Sequence, residues 1–227
     1  MKLGISACLM GTKCRYDGAG ASDKFVVDVL QNYFELSAYC PETIIWGSPR
    51  EAIRQIHTET GELKIVTSTK NPKDVTKELE DVSIQCANRI QNDDLCGFIL
   101  KSASPTCGME RVKIYKPFNA PSVKNGVGVF AQKIKEKYPY LPVEEEGRLQ
   151  DAWLRENFLM QIFAYQHLYD FLTLLCLINF LKSTLLYNNY FYDSTESSSL
   201  HRLQEIQKII HFQTIFDKPL RHRQSSR

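Results

Sequence analysis

The chain has 227 residues, of which 43% are hydrophobic and 24% charged, and a formal net charge of +2. That composition is globular and long enough to bury a core as one domain with an appendage, or as two small domains. It carries no global electrostatic signature, so a nucleic-acid partner would have to be met by a local basic patch. The longest apolar run, FLTLLCLINFL, falls short of the about 18 residues that a bilayer span takes. The opening MKLGISACLMG lacks the long apolar stretch of a signal peptide. The expectation is a cytoplasmic protein without a membrane segment, in which seven cysteines divide into packing thiols and chemical thiols rather than disulfides.

MKLGISA at the start reads as a first strand, followed by a polar, glycine-rich loop, CLMGTKCRYDGAG. SDKFVVDVLQNYF predicts a helix capped by Ser22 or Asp23, with Phe25, Val26, Val29 and Leu30 as its apolar face. ELSAY is a second strand ended by Cys40-Pro41, since proline holds the preceding residue extended. TIIWGSPRE is a short apolar segment running into a turn, and ELKIVTS is a further strand or half of a hairpin. NPKDVTKELEDVSIQCANRIQ repeats Val75, Leu79, Val82, Cys86 and Ile90 on one face of an amphipathic helix. LCGFILK is a buried strand, and GVGVFAQKIKEKYP a helix ended by Pro139. Strands alternating with helices predict an α/β fold, an open, mostly parallel three-layer sheet of Rossmann-like type.

Two prolines and an acidic run in YPYLPVEEEGRLQD suggest a junction, giving domains at 1–142 and 143–227. Asp151 then caps a strongly helical stretch with Leu154, Phe158, Ile162 and Tyr165 in one stripe. From about residue 172 the periodicity fades. A second helix, HRLQEIQKIIHFQTIF, is expected beyond a DSTESSS loop, so the end of the chain reads as a small helical region.

The cysteines sort by position. Cys86, Cys96 and Cys176 fall in apolar patterns and are expected in the core. Cys8, Cys40 and Cys107 each follow an expected strand, and the crevice outside the carboxyl ends of such strands is the usual ligand site. Cys14 lies close enough in sequence to approach it. Thiolates suit zinc and iron–sulfur clusters, and three protein ligands leave one position open on either. Zinc would use it to activate water, whereas a cubane cluster would have one iron free for substrate.

SACLMGTKCRYDG, CPETIIWGSPRE, KSASPTCG and NGVGVFA resemble, in this order, the signature blocks of the thiouracil desulfidase family over about residues 6–131. LPVEEEGRLQDAWLRENFLMQIFAYQHL resembles the start of a second domain found in fused transfer-RNA 4-thiouridine desulfidases. After about Phe171 the chain departs from that second-domain pattern and reads as truncated or atypical. The resemblance implies a [4Fe-4S] cluster held by Cys8, Cys40 and Cys107, with catalytic roles for Glu42 and Ser104. It implies a non-redox, hydrolytic replacement of C=S by C=O in a thiolated pyrimidine base or nucleoside, 2-thiouracil or 4-thiouridine, with transfer RNA as a further partner. Arg15, Tyr16 and Asp17 are either contacts to base or phosphate or simply a turn. Lys101 and Arg111 flank the third cysteine, and Arg148 reads as an ion-pair partner at the junction. The competing readings are a zinc-dependent hydrolase at the same thiols and a non-catalytic, cluster-bearing RNA-binding module.

Overall fold

The computed structural model describes residues 1–116 and 121–190, with side chains in the last helix described to residue 182. The chain divides into two compact units, Met1–Tyr165 and Gln166–Arg227. The first is an α/β fold built on two four-stranded sheets. Strands β1 (Lys2–Ser6), β2 (Glu35–Tyr39), β5 (Leu95–Leu100) and β8 (Val143–Glu145) form a wholly parallel sheet in the order β2-β1-β5-β8. Strands β3 (Ile53–His57), β4 (Leu63–Thr67), β6 (Val112–Tyr115) and β7 (Val123–Gly126) form a mixed sheet in the order β4-β3-β6-β7. Of its pairs, only β3 with β6 is parallel.

The parallel sheet is buried on both faces, which is why β5 is apolar throughout, each of its six residues being buried. One face packs on helices α2 (Thr76–Asn92) and α3 (Val129–Lys137) through Phe98, Leu100, Cys86, Ile90, Phe130 and Ile134. The other packs Leu3, Ile5 and Ile99 on Val26, Leu30, Phe158 and Ile162, the last two from the start of helix α4 (Ala152–Tyr190). Three layers result. Gly4 lets the sheet and Phe98 approach, because a Cβ there would lie 2.3 Å from that ring. The second sheet has its own small core of Ile65, Val75 and Leu79, with Ile45 and Trp46 of helix α1 (Pro41–Trp46) against it.

The strand–helix alternation matches the sequence reading at β1, β2, α2, β5 and α3, and ELKIVTS is indeed half of a hairpin, paired with β3. Differences are local. The expected helix at 22–34 is a π turn, Phe25–Val29, and a 3-10 turn, Leu30–Asn32, although Asp23 does cap it by accepting from Val26 N at 3.1 Å. Three valines in four residues are poor helix formers. TIIW belongs to helix α1. The acidic run is strand β8, seated beside β5. Arg148 pairs with Glu144 and Glu110, within the first unit. The stripe on α4 is half-buried at Leu154 and Tyr165 and buried at Phe158 and Ile162. In the second unit residues 167–182 are exposed, so Cys176 is an exposed thiol rather than the core residue expected. The expected DSTESSS loop and the helix after it lie outside the described residues. Among the described residues no helix is long and apolar enough to cross a membrane.

Candidate active site

The order β2-β1-β5-β8 contains a reversal. From β1 the chain goes first to one side, β2, and later to the other, β5. Loops leaving β1 and β5 therefore diverge, and the crevice between their carboxyl ends is where such sheets bind ligands. A cavity of about 250 Å3 lies there. The end of β1 and the loop after it supply Ser6, Cys8, Cys14, Arg15 and Tyr16 to its wall, and the end of β2 with α1 supplies Tyr39, Cys40 and Glu42. The approach to β3 supplies Arg50, and the loop after β5 supplies Lys101, Ser102, Ser104 and Cys107.

Each thiol is set by its loop. Cys8 sits in a single 3-10 turn closed by Gly11, whose φ of 83° is left-handed. Cys40 is the extended residue before α1, with Pro41 at the first helical position, where its missing N–H costs nothing. Its Sγ lies 2.9 Å from Thr43 Oγ1. Cys107 is buried in a loop that is tied down from both sides. Ser104 Oγ accepts from Thr106 N at 3.2 Å and Cys107 N at 3.1 Å. The start of α3 donates to the same loop, Phe130 N to Thr106 O at 2.8 Å and Val129 N to Pro105 O at 3.2 Å. Gly128 makes that approach feasible, since a Cβ would come within 2.5 Å of the Thr106 carbonyl. Gln55 of β3, buried, adds Nε2 bonds to Pro105 O at 3.1 Å and Val127 O at 2.7 Å.

The acidic strand β8 fixes the other end of the loop. Glu145 accepts from Met109 N at 2.7 Å, and Glu146 accepts from Ser102 N and Ser102 Oγ, both at 2.7 Å, and pairs with Lys101. Glu144 takes Arg148 Nε at 2.6 Å. Three consecutive carboxylates are thus buried, each with its own partners, and burial pushes the Glu145 carboxyl above its ordinary value.

The structure gathers Cys8, Cys40, Cys107, Glu42, Ser104, Arg15 and Tyr16 around one cavity. Asp17 is not on its wall. Its carboxylate accepts from Ala19 N at 3.1 Å and lies 3.5 Å from Arg15 Nε, as a turn residue would. Arg15 lies over the Tyr16 ring, 5.6 Å from its centroid. Lys101 is at the wall but paired with Glu146, and Arg111 is surface-exposed. Arg50 and Ser6 are among the wall residues that the sequence does not mark as site residues. Arg50, eight residues beyond Glu42 and across the Gly47 turn, pairs with its carboxylate. Ser6 ends β1 and accepts from Lys101 N at 3.0 Å. Neither belongs to a periodic pattern, and only long-range pairing brings them in.

Three wall thiols, Cys14, Cys40 and Cys107, are pushed toward the protonated form. Burial pushes Cys107 far above the ordinary thiol value, and contact with the Cys14 thiol, followed by burial, does the same to Cys40. A hydrogen bond with Cys40 lowers Cys14, but contact with Cys8 and burial outweigh it and push it up to about 11. A metal-bearing group would have to displace these protons. Its donor set would be all sulfur, which suits iron–sulfur clusters and soft divalent metals. Among the described residues no three His, Cys, Asp or Glu side chains are grouped as a single metal ion requires. The thiols come from separate loops and line one cavity, with Cys14 in contact with both Cys8 and Cys40, and it is this sulfur-rich lining that fits a thiolate-bound cluster.

A family model described as 2-thiouracil desulfurase matches residues 3–146. Among solved structures, a [4Fe-4S]-dependent thiouracil desulfidase, TudS, is similar at 26% identity, with a TM-score of 0.52, over 69% of this chain and 97% of that one. No curated protein matches.

Proposed function

The chain belongs to the 2-thiouracil desulfurase family, and from that membership we propose that it is a [4Fe-4S]-dependent desulfidase that hydrolyses the thiocarbonyl of a thiolated pyrimidine. Water replaces sulfur, so a thiocarbonyl and water become a carbonyl and hydrogen sulfide without an electron donor. The observation that carries the reading is the meeting of Cys8, Cys40, Cys107, Glu42 and Ser104 on one cavity wall from separate strand ends. The similarity to the [4Fe-4S]-dependent thiouracil desulfidase supports the cofactor. Seven cysteines free of disulfides suit a reducing, cytoplasmic setting.

Cys8, Cys40 and Cys107 would hold the cluster, which when bound supplies a thiophilic Lewis acid for the departing sulfur. Glu42 takes a proton from the attacking water. One of its oxygens is bound by Arg50, and among the described residues the other accepts nothing. Ser104, whose oxygen already accepts two backbone N–H groups, has its hydroxyl proton left to give to the substrate ring. Tyr16, half exposed, and Arg15 offer a flat face against which a pyrimidine stacks. The small cavity suits a free base or nucleoside, and thiolated transfer RNA is the third substrate form to compare.

Anaerobic reconstitution should give a brown protein with about four irons per chain. It should release sulfide from 2-thiouracil or 4-thiouridine and bleach the thiocarbonyl absorbance. Alanine at Cys8, Cys40 or Cys107 should abolish the cluster, and Cys86→Ala should not. Glu42→Gln should keep the cluster and lose turnover by roughly 10²–10⁴-fold. A colourless protein with one bound zinc, or a loaded cluster without sulfide release, would overturn the proposal.

A further inference from the structure

Arg50 is nearly as buried as the core, with 7% of its side chain exposed, and its partner Glu42 has 13%. It meets three parts of the site. Its Nη2 binds one oxygen of Glu42. Its Nη1 donates to Cys14 O at 2.9 Å, an oxygen that also accepts from Thr43 Oγ1 at 3.3 Å. Its backbone N donates to Tyr16 O at 3.2 Å. Thus one guanidinium joins the α1 turn that carries Glu42 to the loop that carries Cys14 and Tyr16.

We infer that Arg50 is the positioning residue of this site. It fixes one carboxylate oxygen of Glu42 so that the other is presented to the attacking water. The inference rests on the desulfidase reading, and it concerns only how Glu42 is aimed. Three facts carry it. Guanidinium is planar and permanently charged, so its grip has direction as well as strength. A carboxylate on a six-residue helix has no other side-chain partner among the described residues to stop its rotation. The guanidinium is itself anchored by the Cys14 carbonyl, so it cannot follow Glu42 if Glu42 turns. Arg50 Nε is buried without a partner among the described residues. That spare N–H defines the rival role, direct binding of the substrate's carbonyl oxygen.

The two roles separate kinetically. Loss of aim lowers kcat with KM little changed, whereas loss of a substrate donor raises KM. Arg50→Gln should still fold, because the backbone bond to Tyr16 O and the Ser48 Oγ bond to Arg15 O, at 3.1 Å, do not involve its side chain. With reconstituted protein and 2-thiouracil, Arg50→Gln should keep wild-type iron content and cluster absorbance. Its KM should stay within about twofold while kcat falls roughly 10²-fold, the scale of a misaimed catalytic group. Arg50→Lys, which retains the charge but not the fork, should recover only part of that loss.

Residues that act as a unit are not additive. Arg50→Gln in a Glu42→Gln background should therefore cost little further turnover. A second readout needs no cluster. The thermal midpoint of the metal-free protein should fall in Arg50→Gln, which strands a buried carboxylate, and rise again in the double variant. Unchanged kcat in Arg50→Gln, a rise in KM at constant kcat, or additive losses in the double variant would each overturn the inference. Wild-type protein that carries a cluster and releases no sulfide would instead overturn the desulfidase reading itself.

Discussion

Protonated thiols give the metal-free protein a pH dependence of known sign. Burial pushes the Cys86 thiol up to about 11 from an ordinary value of 9.0, and Cys14, Cys40 and Cys107 are raised as well. Unfolded, these groups ionise near 9.0, while in the folded chain they keep their protons. Above that pH the unfolded state binds fewer protons than the native one, so stability falls as pH rises. The contribution is complete below about pH 8; that of Cys14 and Cys86 is lost between about pH 9 and 11, that of Cys40 and Cys107 goes on falling above it, and each thiol adds at most about 1.4 kcal/mol per pH unit. Urea midpoints of cluster-free protein should follow this course, and Cys86→Ala should show a shallower decline. An identical slope in that variant would refute the assignment. At this scale the sequence was partly legible. Thiols that follow strands could be seen as site candidates, because strand ends and cysteines are both local signals. Arg50 could not, because its importance comes from Glu42 and Cys14 O, partners that only the fold supplies.

Among the elements, β8 departs furthest from its reading in the sequence. VEEE, just after two prolines, looks like a solvated junction, since consecutive carboxylates are rarely buried. In the fold they are buried because backbone N–H groups and cations await them, at Met109, Ser102, Lys101 and Arg148. The strand acts as a brace for the loop that bears Ser104 and Cys107. Glu146→Ala should therefore destabilise the metal-free protein by about 3 kcal/mol, because it takes the carboxylate from Lys101 and leaves the Ser102 N–H without its acceptor. Glu146→Gln, which still offers an oxygen to Ser102, should cost less. Equal urea midpoints for wild type and Glu146→Ala would show that the brace is dispensable. Strands β6 and β7 were missed for a simpler reason. Each is four residues long, and alternation over four residues, as in VKIY, is too short a signal to separate from a loop.

Considered whole, the first compact unit runs to Tyr165, and Phe158 and Ile162 of α4 close the face formed by Leu3, Ile5 and Cys96. A chain ended after Tyr165 should fold, take up the cluster and turn over 2-thiouracil. A chain ended after Pro142 should lose β8 and the α4 cover together and fail to fold, which circular dichroism and iron content would reveal. Equal behaviour of the two would show that α4 contributes nothing to the core. The strand order has a further bearing, on biogenesis. Strand β1 lies between β2 and β5, with residue 2 beside residue 95. A nascent chain therefore exposes Cys8, Cys14 and Cys40 while Cys107 is still to be made, 67 residues (107 − 40) after Cys40. At about 5–20 residues per second that interval is roughly 3–13 s. On the proposed ligand set, iron cannot be captured by three thiols before the third exists, so each molecule would pass through a stage with the cluster site half built and thiols open to air. The yield of active protein should then depend on how little oxygen the chain meets while it is being made.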